Sequence, residues 1–327
     1  MNGAVTAGWP EGMIQVKVPL PFSLKWVNSY LLPGEDGYTL IDPGLHTPDA
    51  VNTWREALVA HGIDYKDIGL ILLTHQHPDH YGLAGWFQQR TDAPVLISRR
   101  SHSYALRLWG EDDRFALELT GLYALHGMPG GVLETIGPHL AGFREMVTPQ
   151  PEVSYMAAGE TLRLGNMDWL TIDAPGHANG QLCLYNAKRR WMFCGDQVLP
   201  DITPNVSVVP GEDGDPLQQF LDSLAHLQTY EVELAFPGHR DPFTGFHTRI
   251  TELLRHHERR LAEIIHLLVT QPCSGYELCQ RLFGERIAGN AHQLRFAMSE
   301  TLAHLFHLEN RRQIHRHTRK GYVVFMA

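Results

Sequence analysis

Between Thr74 and His80 the chain reads T-H-Q-H-P-D-H, which places His75, His77, Asp79 and His80 within six residues. Four ligand-capable side chains on one short turn point in different directions, so His75 and His77 can face one cation while Asp79 and His80 face a neighbour. Imidazole nitrogens and carboxylate oxygens without thiolate suit zinc, manganese or iron, in a catalytic site with open positions rather than a structural one. A structural zinc would bring cysteines, yet Cys183, Cys194, Cys273 and Cys279 are scattered and form no C-x-x-C pair. Three later residues share the context: His177 in APGHANG, Asp196 in FCGDQ and His239 in FPGHRD. Each follows an apolar, β-prone run and adjoins glycine, which lets backbone approach closely. One such histidine alone would more often be structural. With the H-x-H-x-D-H turn, the set predicts a single rim holding two divalent ions, Zn2+ first, with Mn2+ or Fe2+ as alternatives. His256, His257, His304, His307, His315 and His317 lack partner carboxylates or thiols at metal-site spacing. They are read as helix-surface or core-edge residues.

The elements that would position this rim are legible in the apolar pattern. Residues 13–42 alternate short β-prone runs with turns. Residues 48–61 place Val51, Trp54, Leu58 and Val59 at helical spacing behind Thr47 as a cap, which predicts an amphipathic helix. Residues 68–73 are a continuous apolar run that ends at the metal motif, and 81–90 look helical. A buried strand feeding a loop and a helix is where polar side chains gather at the carboxyl end of a sheet. From 100 to 147 the pattern is helical and rich in leucine and aromatics, an insertion between two parts of an α/β core. Strand-like runs resume over 159–196, a helix is expected at 216–230, and 232–239 is another strand running into a loop. Beyond 246 come a long helix to about 269, two short helical patterns and a terminal hairpin, which suggest a winged-helix-like module. The expected division is a catalytic domain at 1–245 and a helical, winged-helix-like domain at 246–327.

THQHPDH, followed by PGH, GD and a final PGH, resembles the metallo-β-lactamase superfamily, in particular the hydrolase branch of glyoxalase II-like thioesterases, lactonases and ribonuclease-like members. The likeness covers about 13–243. It implies an α+β fold built as an αβ/βα sandwich, with His75, His77 and His177 on one metal, Asp79, His80 and His239 on the second, and Asp196 bridging. It also implies that Asp42, in LIDPG, supports the metal loop from behind, as carboxylates that orient ligating histidines do. The C-terminal segment is similar to the winged-helix tail of some hydrolases in that branch.

Two metals sharing a hydroxide bring a water pKa from about 15.7 to about 7, and Asp79 is the candidate proton carrier as well as a ligand. The favoured reaction is hydrolysis of a carboxylic ester, thioester or lactone, because the chain is acidic overall, −9, and its insertion is apolar. Trp109, Phe115, Tyr123 and Met128 of that insertion are the candidate substrate lid, weighed against an ordinary core role at helical spacing. The alternative is a phosphodiesterase or endoribonuclease, since residues 265–327 hold eight basic and four acidic side chains. Below it rank β-lactam hydrolysis and a non-catalytic metal- or nucleic-acid-binding regulator. A small-molecule substrate is expected, a nucleic acid is not favoured, and a homo-oligomer is compatible with the sequence. No run approaches the roughly 18 apolar residues of a membrane helix, and no export signal is evident, so a cytoplasmic protein without a membrane partner is expected.

Overall fold

The computed structural model of the chain describes residues 6–110, 112–211 and 214–327. Its first sheet takes seven strands in chain order. β1 (Thr6–Gly8), β2 (Ile14–Pro19), β3 (Trp26–Gly34) and β4 (Gly37–Ile41) form an antiparallel meander. The helix α1 (Pro48–His61) then carries the chain across so that β5 (Ile68–Leu72) joins β4 in parallel. Thr47 starts that helix as expected, its hydroxyl oxygen accepting from the Ala50 N–H at 3.1 Å, and Val51, Trp54 and Leu58 form its buried face.

After β5 come α2 (Pro78–Tyr81), α3 (Ala84–Thr91) and the parallel strand β6 (Val95–Ser98). The predicted insertion follows as α4 (Arg99–Trp109), α5 (Arg114–Leu125), α6 (Gly130–Leu133) and α7 (Ile136–Glu145), before β7 (Val153–Met156) closes the sheet edge. The second sheet has five strands in the order β12-β11-β10-β9-β8. These are β8 (Thr161–Leu164), β9 (Met167–Asp173), β10 (Leu182–Asn186), β11 (Trp191–Gly195) and, after the crossover helix α8 (Pro216–Leu227), β12 (Leu234–Pro237). The chain ends with α9 (Phe246–Thr270), β13 (Cys273–Ser274), α10 (Gly275–Phe283), α11 (Ala291–Asn310), β14 (His315–Arg319) and β15 (Tyr322–Met326), the last three strands forming a small sheet in the order β13-β15-β14.

Burial sorts these elements into layers. Tyr30, Leu32, Ile41 and Leu72 of the first sheet meet Leu164, Trp169, Leu184, Phe193 and Phe236 of the second in a shared apolar core. The opposite face of the first sheet is covered by α1 and α3 through Trp54, Leu58 and Phe87, and that of the second by α8 and α9 through Leu217, Phe220, Ile250 and Leu253. Two sheets packed face to face with helices outside both form a mixed α+β sandwich. Among the described residues, no helix is long and apolar enough to cross a membrane.

For much of the insertion the core role weighed against a lid is the one found. Phe115, Leu119, Tyr123, Met128, Ile136 and Leu140 share one core with Ile264, Leu268, Leu294, Met298 and Leu302 of the C-terminal helices. The core-edge reading of the C-terminal histidines also fails for three of them. His257, His304 and His307 are fully buried, His257 pairing with His304 at 3.1 Å and His307 with Asp215 at 2.9 Å. His315 and His317 stand exposed on β14.

Candidate metal centre

Each candidate ligand leaves a strand end on the same rim. β5 runs out through Leu73 and Thr74 into His75 and His77, and α2 then carries Asp79 and His80. This turn is tied to the end of β4 by Asp42, whose Oδ1 accepts the Thr74 N–H at 2.8 Å and whose Oδ2 accepts the Thr74 hydroxyl at 2.7 Å and His80 Nδ1 at 2.9 Å. The α4 residue Trp109 braces it from the other side, its Nε1–H donating to the Gln76 carbonyl at 3.1 Å. His177 follows β9, Asp196 follows β11 and His239 follows β12. Glycines open the space they need. A Cβ on Gly176, whose φ is +125°, would lie 2.3 Å from the Phe220 backbone, and one on Gly238 would lie 2.2 Å from Asp196 Oδ1 and 2.6 Å from His80 Cε1.

All seven predicted side chains converge. Their ligand atoms fall into three overlapping groups: His75, His77 and His177; His75, His80 and Asp196; and Asp79, His80 and His239. Within the first, His77 Nδ1 is 3.1 Å from His75 Nε2 and 3.0 Å from His177 Nε2. Asp196 spans the groups, with Oδ1 3.4 Å from His80 Nε2 and Oδ2 3.6 Å from His177 Nε2 and 3.3 Å from His239 Nε2. Asp79 Oδ2 lies 3.1 Å from His239 Nε2.

The far side of each ring decides what these contacts are. His177 Nδ1 donates to the Asn205 carbonyl at 2.8 Å, His239 Nδ1 to the Trp26 carbonyl at 2.9 Å and His80 Nδ1 to Asp42. The Thr74 hydroxyl spends its proton on Asp42 and so accepts from His75 Nδ1 at 3.0 Å. A neutral imidazole whose Nδ1 carries the proton presents a bare lone pair at Nε2. Four Nε2 atoms so fixed point inward, each a lone pair once its ring is neutral, and the buried His80 Nε2, His239 Nε2 and Asp196 Oδ1 have no hydrogen-bond partner. Ligands about 2.0–2.1 Å from one tetrahedral ion are roughly 3.3 Å apart, which is the range of separations found here. The residues present therefore fit divalent cations.

Charge tells the same story. Burial alone would raise Asp79, but the charges of His80 and His239 outweigh it and bring the carboxyl to about 2. Burial opposes protonation of His239, and Asp196 and Asp79 outweigh it, raising the ring to about 10. Burial lowers His77 to about 3, helped by His177. The two carboxylates thus demand positive charge at the Asp79–His80–His239 side, which imidazole protons supply and divalent ions would supply in their place.

The centre forms the floor of a cavity of about 650 Å³, into which His77, Asp79, His177, Asp196 and His239 open. Trp109 and Phe115, two of the predicted lid residues, line it with Phe22, Leu108, Phe143 and Phe296. Tyr123 and Met128 instead belong to the core shared with the C-terminal helices, where the Tyr123 hydroxyl meets Ser299 Oγ at 2.6 Å. The pattern reading missed the wall supplied by α11, including His292, Arg295 and Glu300. An arginine between Leu294 and Phe296 in an otherwise apolar helix stretch was the available signal.

Residues 27–239 match the family model described as the metallo-beta-lactamase superfamily, and 261–327 match that of its C-terminal domain. The chain belongs to the metallo-beta-lactamase superfamily. Among superfamily members of known structure, a metallo-beta-lactamase family protein from Thermus thermophilus is 32% identical, with a TM-score of 0.86 over 97% of this chain and 99% of its own. A beta-lactamase domain protein from Burkholderia ambifaria is 27% identical, with a TM-score of 0.89 over 99% of this chain and 95% of its own. A probable metallo-hydrolase of Bacillus subtilis is 28% identical over 91% of this chain and 92% of its own length. A relative from Passalora fulva named atrochrysone carboxyl ACP thioesterase is 22% identical over 86% of this chain and 69% of its own.

Proposed function

We propose that the chain is a binuclear metal-dependent hydrolase of carboxylic esters, thioesters or lactones. The observation that carries this reading is the inward set of imidazole Nε2 atoms, fixed by acceptors behind their rings, at the floor of a largely apolar cavity. His75, His77 and His177 would hold one ion and Asp79, His80 and His239 the other, with Asp196 shared. Zinc suits this nitrogen- and oxygen-rich set best, and manganese or iron also fit.

Bound there, divalent ions supply a nucleophile from water at neutral pH and polarise the carbonyl under attack. The protein residues do the rest. Asp42, Asn205 and Trp26 hold the rings of His80, His177 and His239 in one tautomer and direction through the hydrogen bonds above. Asp79 opens into the cavity and is the group placed to take up and return a proton. Trp109, Phe115, Phe143 and Phe296 exclude water and receive the acyl body.

An acyl substrate is favoured over a polyanion because the cavity wall is mostly aromatic and aliphatic. The thioesterase name of the Passalora relative points the same way. The test is turnover of acyl-thioester, lactone and phosphodiester panels by metal-loaded protein. Cleavage of thioesters or lactones is expected, and cleavage of phosphodiesters alone would reverse the order. We also read the run of α9, β13, α10, α11 and the β14–β15 hairpin as a winged-helix-like unit. A second reading, ribonuclease activity, is favoured by the exposed Arg311, Arg312, Arg316, Arg319 and Lys320 at its hairpin. It requires that charge-reversal of those residues abolish RNA cleavage.

A further inference from the structure

The helix α11 lies along the cavity, so that His292, Arg295, Phe296 and Glu300 all line it. Its first turn is close enough to the metal floor for the Asp79 charge to act on His292. Its later turn is linked to His177, because Asn205, whose carbonyl accepts from His177, donates its side-chain N–H to Glu300 at 2.8 Å. The C-terminal unit is therefore a wall of the reaction chamber and not an appendage.

Arg295 is the unexplained member of that wall. Its guanidinium packs on Phe296, 4.2 Å from the ring centroid, with Phe143 at 6.0 Å. Its buried Nε has no hydrogen-bond partner, and it makes no ion pair among the described residues. The nearest carboxyl on the same helix, Glu300, is taken by Asn205. His292 and His139, whose rings are 5.3 Å apart, each leave a buried nitrogen unpartnered beside it. Burial, reinforced by the Arg295 charge, brings both histidines to about 4, so at neutral pH they are uncharged and Arg295 is the positive charge of that corner. Arg295 is half-buried with its Nε shut off from water and no counter-ion, which is costly for a charge, and its planar fork of donors matches a carboxylate in two parallel hydrogen bonds.

We propose that Arg295 anchors a carboxylate carried on the acyl part of the substrate, so that the chain acts on esters or thioesters of acids with a second acidic end. Arg286 also lines the cavity but is exposed to solvent, so the single partly desolvated positive charge, Arg295, matches one carboxylate. A phosphate monoester, at about −1.5 to −2, would leave charge unmatched beside neutral histidines. The assignment rests on the hydrolase reading for the bond that is cut, but not for the anchor itself.

Two matched pairs of probes separate these questions. Mono-4-nitrophenyl adipate and 4-nitrophenyl hexanoate differ only in the distal carboxylate, and metal-loaded full-length protein should favour the adipate by roughly tenfold or more, mainly in KM. The preference should fall to about one in Arg295→Met and stay intermediate in Arg295→Lys. Adipic monoanilide and hexananilide carry no ester, so their affinities report the anchor by calorimetry whether or not any ester is hydrolysed. The wild type should bind the monoanilide more tightly, and Arg295→Met should bind both alike. Equal affinities in the wild type, or a preference that survives in folded Arg295→Met and in Arg295→Gln, would overturn the anchor. Selective anilide binding without turnover of either ester would uphold the anchor and remove simple esters from the hydrolase reading.

Discussion

Asp42 offers a clean perturbation, because asparagine preserves its shape and tolerates its backbone. Asp42 is buried, and its φ of +51° lies in the left-handed region, where asparagine is among the better-accepted residues. The carboxylate accepts three hydrogen bonds, from the Thr74 N–H, the Thr74 hydroxyl and His80 Nδ1. An amide has one acceptor end. If its oxygen faces His80, its NH2 group opposes the Thr74 N–H; if it is flipped, His80 Nδ1 loses its acceptor. Either way at least one buried donor is orphaned, at a cost of about 1–3 kcal/mol. In either orientation His80 loses the charged acceptor behind its ring, and when the amide is flipped it loses the acceptor altogether; such losses typically weaken metal affinity about 10–100-fold, or roughly 1.4–2.7 kcal/mol. Denaturant unfolding of metal-free Asp42→Asn should show the stability loss, and competition against a chromophoric chelator should show the weaker affinity. Asp42→Ala should lose more stability, since it orphans all three donors and adds about 1–2 kcal/mol of left-handed strain. Wild-type chelator competition in Asp42→Asn would refute the reasoning and leave Asp42 an ordinary turn carboxylate.

Gly238→Ala should fold yet lose metal, because its Cβ would intrude on Asp196 Oδ1 and His80 Cε1; full metal content in the folded variant would contradict this. Trp109→Phe removes the donor to the Gln76 carbonyl and should cost about 1 kcal/mol, read as a lower unfolding midpoint. The buried pair His257 and His304 is held neutral, chiefly by burial, at about 2 and about 4. Both folded values lie below the unfolded value near 6.5, so the unfolded chain binds more protons and stability falls as pH drops from about 6.5 toward 4, by at most about 1.4 kcal/mol per unit per histidine. A His257→Phe/His304→Leu variant should have a flatter melting-temperature profile over that window, and an unchanged slope would count against the assignment.

The parts of this fold that the sequence made readable are those governed by side-chain pattern. α1 appears at residues 48–61 because it has a periodic apolar face and the Thr47 cap, and α9 begins at Phe246 on the strength of its periodic apolar face alone. The seven site residues are legible as a set, because the H-x-H-x-D-H turn and three further His or Asp residues after apolar runs point to one rim together, where any one alone does not. What escaped depends on tertiary packing. The short edge strand β7 exists through its pairing with β6, and the four residues VSYM, though Val and Tyr favour strands, are too few to show a period. The carbonyls of Trp26 and Asn205 that orient His239 and His177 are backbone atoms, invisible to residue type. The pattern of the insertion leaves lid and core roles both open because its apolar residues show no partner in sequence, and the partner proves to be the C-terminal helices about 170 residues further on. Arg295 went unnoticed for the same reason: its meaning comes from the cavity it faces.

Anomalous diffraction from crystals of the zinc-loaded protein tests the central claim most directly. Two peaks are predicted, one among His75, His77 and His177 and one among Asp79, His80 and His239, with Asp196 reaching both. A rim without peaks, or a single ion that leaves Asp79 and His239 uncoordinated, would contradict the binuclear account.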